Sequence, residues 1–237
     1  MSAAVNDIKE VKAQIVGGKL VNELELLSNE GNESDVFHHG AAVIRVPKYK
    51  DEYYMETDGT LWSIFDDYNK IVKKDAELVA DGVNIAPYLD KCYSHKHEKR
   101  TAAECQFFPK IDGSGLQNFH WDAQPQDWLG FGEDGFAKFF EDWHKIQSKG
   151  FGIDTYGNNF IVSNKDGKRE INFIDRTLGI DNPDRENETR RALLQIYPTR
   201  VGDPEIRPLL HTQILHALRG LNLGTRGVLK ILESVAK

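Results

Sequence analysis

Gly150-Phe151-Gly152-Ile153-Asp154-Thr155-Tyr156-Gly157-Asn158-Asn159-Phe160-Ile161-Val162, followed after a short polar run by Ile171-Asn172-Phe173-Ile174-Asp175, carries the strongest local signals in this chain. Residues 160–162 and 171–174 are apolar runs, and Asp166-Gly167 between Lys165 and Lys168 is a strong two-residue turn signal. The segment reads as a β-hairpin with its tip at 166–167. Lys165 then pairs with Lys168, and counting back along the antiparallel ladder sets Asn159 opposite Ile174. The Asn159 side chain and the Asp175 carboxylate emerge at the same open end, with Asp154 five residues ahead of Asn159 in the preceding loop. An Asn and an Asp are hard oxygen donors suited to Mg²⁺ on a nucleotide's phosphates, and a further Asp can accept the proton of an acceptor hydroxyl. An isolated Asp or Asn in a polar loop is more often a turn former. Here the order and spacing of all three, around a hairpin, carry the chemistry.

Working outward, 237 residues suffice for one large domain or for two lobes that share a cleft. The formal charge of −7 argues against a protein that coats nucleic acid, although a local basic site still suits one nucleotide. No stretch approaches the roughly 18 uninterrupted apolar residues of a membrane span, so no membrane insertion is expected. The start, Met1 to Glu10, lacks a cationic segment followed by an apolar one. The expected location is the cytoplasm. Cys92 and Cys105 are the only cysteines, which suits reduced thiols and not a disulfide framework. Together with His95 and His97 they fit no common zinc spacing.

The first half reads as a small sheet. Residues 24–27, 34–37 and 41–46 are strand-like, the last run ended by Pro47. Residues 61–80 carry Ile64, Tyr68, Ile71, Val72, Leu78 and Val79 at the spacing of one helix face, ended by Asp81-Gly82. Residues 85–89 and 105–111 read as two further strands. The alternating charges of residues 6–12 suit a short helix or a mobile arm without weight in the fold. Asp112-Gly113-Ser114-Gly115 is the expected junction between lobes. Beyond it, residues 133–148 place Phe136, Phe139, Phe140, Trp143 and Ile146 on one helical face, an expected core stripe. A polar connector is expected at 181–189, then helices at 190–196, 207–218 and 228–235. Trp121 and Trp128 are expected to cover the core of the second half.

This order of pieces resembles the protein-kinase fold from about Leu24 to Asp175. The resemblance implies an α+β architecture of two lobes: a small β-rich N-lobe with one helix over 23–112, preceded by an extension at 1–22, and a compact, mainly helical C-lobe over 113–237. Phe151-Gly152-Ile153-Asp154 stands where that family has its catalytic-loop motif, Asn159 where it has a metal-binding Asn, and Asp175 where it has the Asp of Asp-Phe-Gly. It implies that Asp154 orients and deprotonates the acceptor, while Asn159 and Asp175 hold the metal ions, Mg²⁺ or Mn²⁺, on ATP. In the phosphate-covering loop, residues 30–37, Gly31 would supply backbone freedom and Ser34 a small side chain. The absence of Ala-Pro-Glu after Asp175 and the short chain look most like small secreted bacterial effector kinases of the OspG and NleH type. That implies a partner protein as acceptor, a host protein among the candidates, and, for an effector, secretion without a cleavable signal into a host cytoplasm.

The chain departs from the family in informative places. The third-strand Lys is replaced by Arg45, which keeps the charge in a longer, planar side chain. Lys48, three residues on, falls on the opposite strand face unless Pro47 bends the chain, so Arg45 is preferred as the phosphate contact. The helix carboxylate that would pair with it is Asp67 or Asp75, Asp67 being slightly favoured. Gly152 and Ile153 replace the motif's His and Arg, which implies no need for a phosphorylated activation loop, and Arg176-Thr177 replaces Phe-Gly. Three function classes follow: a protein kinase, a small-molecule kinase of the same fold, and a nucleotide-binding pseudokinase or a kinase-fold enzyme with other chemistry such as nucleotidyl transfer. Arg45 favours the third.

Overall fold

The computed structural model describes residues 2–16, 24–28, 34–47, 68–93, 104–155, 159–178, 184–197, 203–221 and 225–235. Gly31, Lys48, Asp67, His95 and His97 lie outside them. The chain divides into two units, residues 1–76 with 86–110 and residues 77–85 with 111–237.

In the first unit, β1 (Glu25–Ser28), β2 (Ser34–His39), β3 (Ala42–Pro47), β4 (Asp90–Tyr93) and β5 (Glu104–Pro109) form an antiparallel sheet in the order β1-β2-β3-β5-β4. Residues 6–12, expected as a short helix or a mobile arm, lie within a longer helix, α1 (Ser2–Val16). Its Ala4, Ile8, Val11 and Ile15 recur at helical spacing and are all buried. The last three pack on Ala42, Ile44, Cys92, Cys105 and Phe107, which makes α1 one wall of the sheet's core. Burial of such a side chain is worth about 1.5–3 kcal/mol, so the helix is integral to this unit. Two polar ties fix its register: Asp7 accepts the Ala41 backbone N–H at 2.7 Å, and Lys12 Nζ lies 2.7 Å from Asp90 Oδ2. Period-2 alternation puts Ala42 and Ile44 toward α1 and Val43 and Arg45 on the other face.

Helix α2 (Tyr68–Ala80) buries Ile71, Asp75 and Leu78, and the chain turns after it at Gly82, where φ is +71°. The strand expected at 85–89 is instead displaced to β4. Pro87 has no N–H to give to a ladder. The Tyr88 N–H goes to the buried Asp75 carboxylate at 2.7 Å and the Leu89 N–H to the Phe107 carbonyl at 2.9 Å, so regular pairing begins only at Asp90.

The second unit starts with β6 (Ser114–Gly115), followed by helices α3 (Leu116–Asp122), α4 (Pro125–Leu129) and α5 (Gly132–Ser148). Strands β7 (Phe151–Gly152), β8 (Phe160–Lys165), β9 (Lys168–Phe173) and β10 (Thr177–Leu178) come next, then helices α6 (Arg185–Ile196), α7 (Ile206–Gly220) and α8 (Thr225–Val235). β6, β8 and β9 form one sheet, β7 and β10 another. A Cβ at Gly113 would lie 2.3 Å from the Val162 carbonyl oxygen, so the glycine permits the backbone approach that sets β6 beside β8.

The stripe on α5 is core, with Phe136, Phe139, Phe140, Trp143 and Ile146 all buried. Phe139 stacks on Phe173 at 5.4 Å and Trp143 on Phe160 at 6.0 Å, while Phe160 and Phe173 meet edge to face at 5.4 Å. These rings clamp the open end of the hairpin to α5. Asp142, on the same helix, is buried: it accepts the Asn84 N–H at 3.0 Å and pairs with Lys138. Burial pushes its carboxyl above the usual range against the pull of Lys138. The two tryptophans expected over the core part ways, Trp128 being 2% exposed and Trp121 64%. Among the described residues no helix is long and apolar enough to cross a membrane.

Candidate functional site

The hairpin has the counted register, from Phe160 opposite Phe173 to Lys165 opposite Lys168. Asp166 and Gly167 at its tip both have positive φ, 54° and 79°, as a type I′ turn requires. At the open end the Ile174 N–H donates to the Asn159 carbonyl at 3.0 Å, so the ladder extends one residue beyond the strands. Asp175 follows directly. The apolar clamp of Phe160 and Phe173 therefore fixes the base from which Asn159 and Asp175 depart.

Asp154 reaches the same place from the other direction. Phe151, Gly152 and Ile153 are buried and Asp154 is exposed, so the loop surfaces at this carboxylate. The Asn159 side-chain amide donates to the Asp154 carbonyl at 3.5 Å, a long bond that closes the loop onto the hairpin. With its nitrogen turned to Asp154, the amide keeps its oxygen as the acceptor end.

The loop is also held from beneath. Arg191 on α6 donates to the Ile153 carbonyl at 3.3 Å and, through its other terminal nitrogen, to Glu188 Oε1 at 2.8 Å. Glu188 is buried, and its Oε2 accepts from Trp143 Nε1 at 3.3 Å and from the Gln147 amide. Two successive carbonyls, those of Ile153 and Asp154, are thus fixed by α6 and by the hairpin. The segment after Asp175 is tied to the same loop: Thr177 pairs with Gly152 and Leu178 with Phe151 in β10 and β7. Arg176, where the kinase family has Phe, is 6% exposed, with its guanidinium 5.7 Å from the Phe151 ring centroid.

Beside Glu188, His144 Nε2 lies 2.9 Å from Thr189 Oγ1, whose own hydroxyl donates to the Arg185 carbonyl at 2.8 Å. With that proton committed, Nε2 carries the hydrogen of a neutral imidazole. Burial, reinforced by the Arg185 charge and opposed by Glu188, pushes the His144 pKa down to about 4.

The remaining predicted residues belong to the sheet unit. Arg45 lies on β3 opposite Val36 and Gln106, half-buried, on the face away from α1. Ser34 opens β2 opposite Pro47. Gly31 and Lys48 are outside the described residues, as is Asp67, and Asp75 has the Tyr88 N–H as a partner. Asp154 and Asn159 are in contact and Asp175 adjoins the residue paired with Asn159. Glu188 and Arg191 were not among the residues expected here. Their one sequence signal is a helix start before 190: Asp184 accepts the N–H groups of Glu186 and Asn187 as an N-cap, with Glu186 and Glu188 in the first turn.

No protein-family model matches the chain, and no curated protein matches it in sequence. Its fold does match a solved structure described as WaaP in complex with acyl carrier protein. The match covers 97% of this chain and 95% of that chain with a TM-score of 0.52 and 11% identity. At that identity the likeness speaks for the fold alone. A small antiparallel sheet followed by a mainly helical region, in a mixed α+β chain, is consistent with a protein-kinase-like fold.

Proposed function

We propose that the chain is an ATP-dependent phosphotransferase, a minimal protein kinase that moves the γ-phosphoryl group to a hydroxyl of a partner protein. The observation that carries this is the hairpin register, which sends Asn159 and Asp175 out of one end beside the loop of Asp154. The donor set suits a divalent cation: an amide oxygen and a carboxylate are two hard ligands, and Mg²⁺ or Mn²⁺ on a nucleotide draws its others from water and phosphate oxygens. When bound, such an ion neutralises charge on the β- and γ-phosphate oxygens. Asn159 and Asp175 would hold it. Asp154 orients the acceptor hydroxyl and takes its proton as the new phosphorus–oxygen bond forms and the bond to the ADP oxygen breaks. Arg45, Gly31, Ser34 and Lys48 are assigned the phosphate contacts from the sequence resemblance. Arg191 and Glu188 act through the loop as positioning residues.

The protein acceptor and a secreted-effector role rest on the narrower resemblance to small bacterial effector kinases, in which Ala-Pro-Glu is likewise missing. The partner protein in the neighbouring structure's description is a reason to look for a protein partner here as well. Arg45 in place of Lys supports a second reading, a nucleotide-binding pseudokinase or a nucleotidyl transferase. Incubation with γ-labelled or α-labelled ATP, Mg²⁺ or Mn²⁺ and a protein mixture separates the readings. Label passed to protein only from the γ position is the expected result. Label from the α position means nucleotidyl transfer, and tight ATP binding without label from either means a pseudokinase.

A further inference from the structure

The sheet unit holds a feature that phosphoryl transfer does not use. The chain has two cysteines, and the fold sets them face to face: Cys92 on β4 and Cys105 on β5 are direct cross-strand partners. Both are unbridged, with Cys92 4% and Cys105 0% exposed, beneath Ile8, Val11 and Ile15 of α1. Directly opposed residues on antiparallel strands have Cα atoms about 4.5–5.5 Å apart and side chains on one face. That separation lies inside the roughly 4.4–6.8 Å that a disulfide spans. A bridge between these two sulfurs therefore needs no movement of the strands. Within this apolar cluster Cys92 has Cys105 as a hydrogen-bond partner, and it lies near the Lys12 ammonium, which Asp90 pairs at 2.7 Å.

We propose that Cys92 and Cys105 form a redox-active dithiol, an oxidative modification site whose co-substrate is a peroxide and whose product is an intramolecular cross-strand disulfide. Cys92 is the attacking thiol, because the hydrogen bond from Cys105 holds its pKa below the usual thiol value against burial, with the Lys12 charge helping and the Asp90 charge opposing. Its thiolate attacks one peroxide oxygen. A sulfur–oxygen bond forms, the oxygen–oxygen bond breaks, and the departing hydroxide takes up a proton to become water. The Cys105 sulfur then attacks the Cys92 sulfenic acid: the sulfur–sulfur bond forms, the sulfur–oxygen bond breaks, and the released hydroxide leaves as water with the Cys105 proton. The two thiols lose two electrons and the peroxide gains them. Cys92, 4% exposed against 0% for Cys105, is the one of the two that solvent reaches.

The test uses the full chain under hydrogen peroxide, quenched, unfolded and read by thiol titration and peptide mass mapping without reductant. The expected result is loss of both thiols, a linked Cys92–Cys105 peptide pair lighter by two hydrogens, and recovery of both thiols with dithiothreitol. Cys105→Ser should leave Cys92 as a sulfenic acid trapped by dimedone, and Lys12→Gln should slow the first step severalfold. Retention of both thiols by the folded chain, at peroxide doses that consume them in the unfolded chain, overturns the proposal. So does loss of the thiols only to sulfinic acid or to cross-links between chains. If a serine variant does not fold, the mass map of the parent chain still decides.

Discussion

Arg191→Ala removes two hydrogen bonds from under the loop of Asp154. The 2.8 Å bond to Glu188 is charge-assisted, worth about 1.5–3 kcal/mol in a buried setting. The Arg191 side chain is 36% exposed, so solvent screening brings this to the lower part of the range. The 3.3 Å bond to the Ile153 carbonyl adds about 1 kcal/mol. Glu188, its side chain 8% exposed, keeps Trp143 and Gln147 as neutral donors, which limits the damage. The expected loss is about 2–3 kcal/mol, or a fall in Tm of roughly 5–10 °C for a chain of this size, followed by circular dichroism and tryptophan fluorescence. In the γ-label assay the released loop should cost roughly tenfold to a hundredfold in kcat, with KM for ATP changed by no more than about twofold. Arg191→Lys can reach Glu188 or Ile153 but not both, so it should recover most of the stability and less of kcat. An Arg191→Ala protein within about 1 °C of the parent Tm would refute the clamp.

Asp154→Ala should leave ATP affinity within a few-fold while transfer falls roughly a hundredfold or more, and Asn159→Ala should lower both. Asp175→Ala should abolish the thermal stabilisation that ATP with Mg²⁺ gives; equal stabilisation in mutant and parent would remove Asp175 from the site. Arg45→Ala should weaken nucleotide binding by titration more than Lys48→Ala, and the reverse order would mean that the match of Arg45 to the family's third-strand Lys is wrong by three residues. His144 supplies a pH dependence: its folded pKa of about 4 lies below its ordinary 6.5, so the unfolded chain binds the extra proton. Its contribution to stability is complete above pH 6.5 and is lost as the pH falls toward 4. His144→Gln should flatten that part of the curve, and an unchanged slope would show that His144 titrates normally.

The hairpin and the helix stripe were legible because each is a local pattern with one physical solution. A two-residue turn fixes the ladder, and five large apolar residues on one helical face have to be buried. Helix α1 was not legible because Ala4, Ile8, Val11 and Ile15 alternate with Asp7, Lys9, Glu10 and Lys12, and only the sheet beneath shows which set faces inward. β4 was misplaced because 85–89 has the composition of a strand, and the Asp75 carboxylate that takes the Tyr88 N–H lies on another element. Glu188 was hidden for a related reason. A charge in a polar run reads as solvated until Trp143, Gln147 and Arg191 are brought around it from two helices. Trp121 on α3 is exposed while Trp128 on α4 is buried against Phe119 and Phe131, a tertiary fact.

The seating of α1 has a consequence for the birth of the molecule. Its apolar side is made before the surface that receives it, which includes Cys92, Cys105 and Phe107, close to a hundred positions later. Contacts so distant along the chain form late and slow the search for the native state. Ile8, Val11 and Ile15 must wait exposed until β5 is made. In that interval they are a natural ligand for a chaperone, and a polar substitution at Val11 would act on folding yield before it acted on any chemistry.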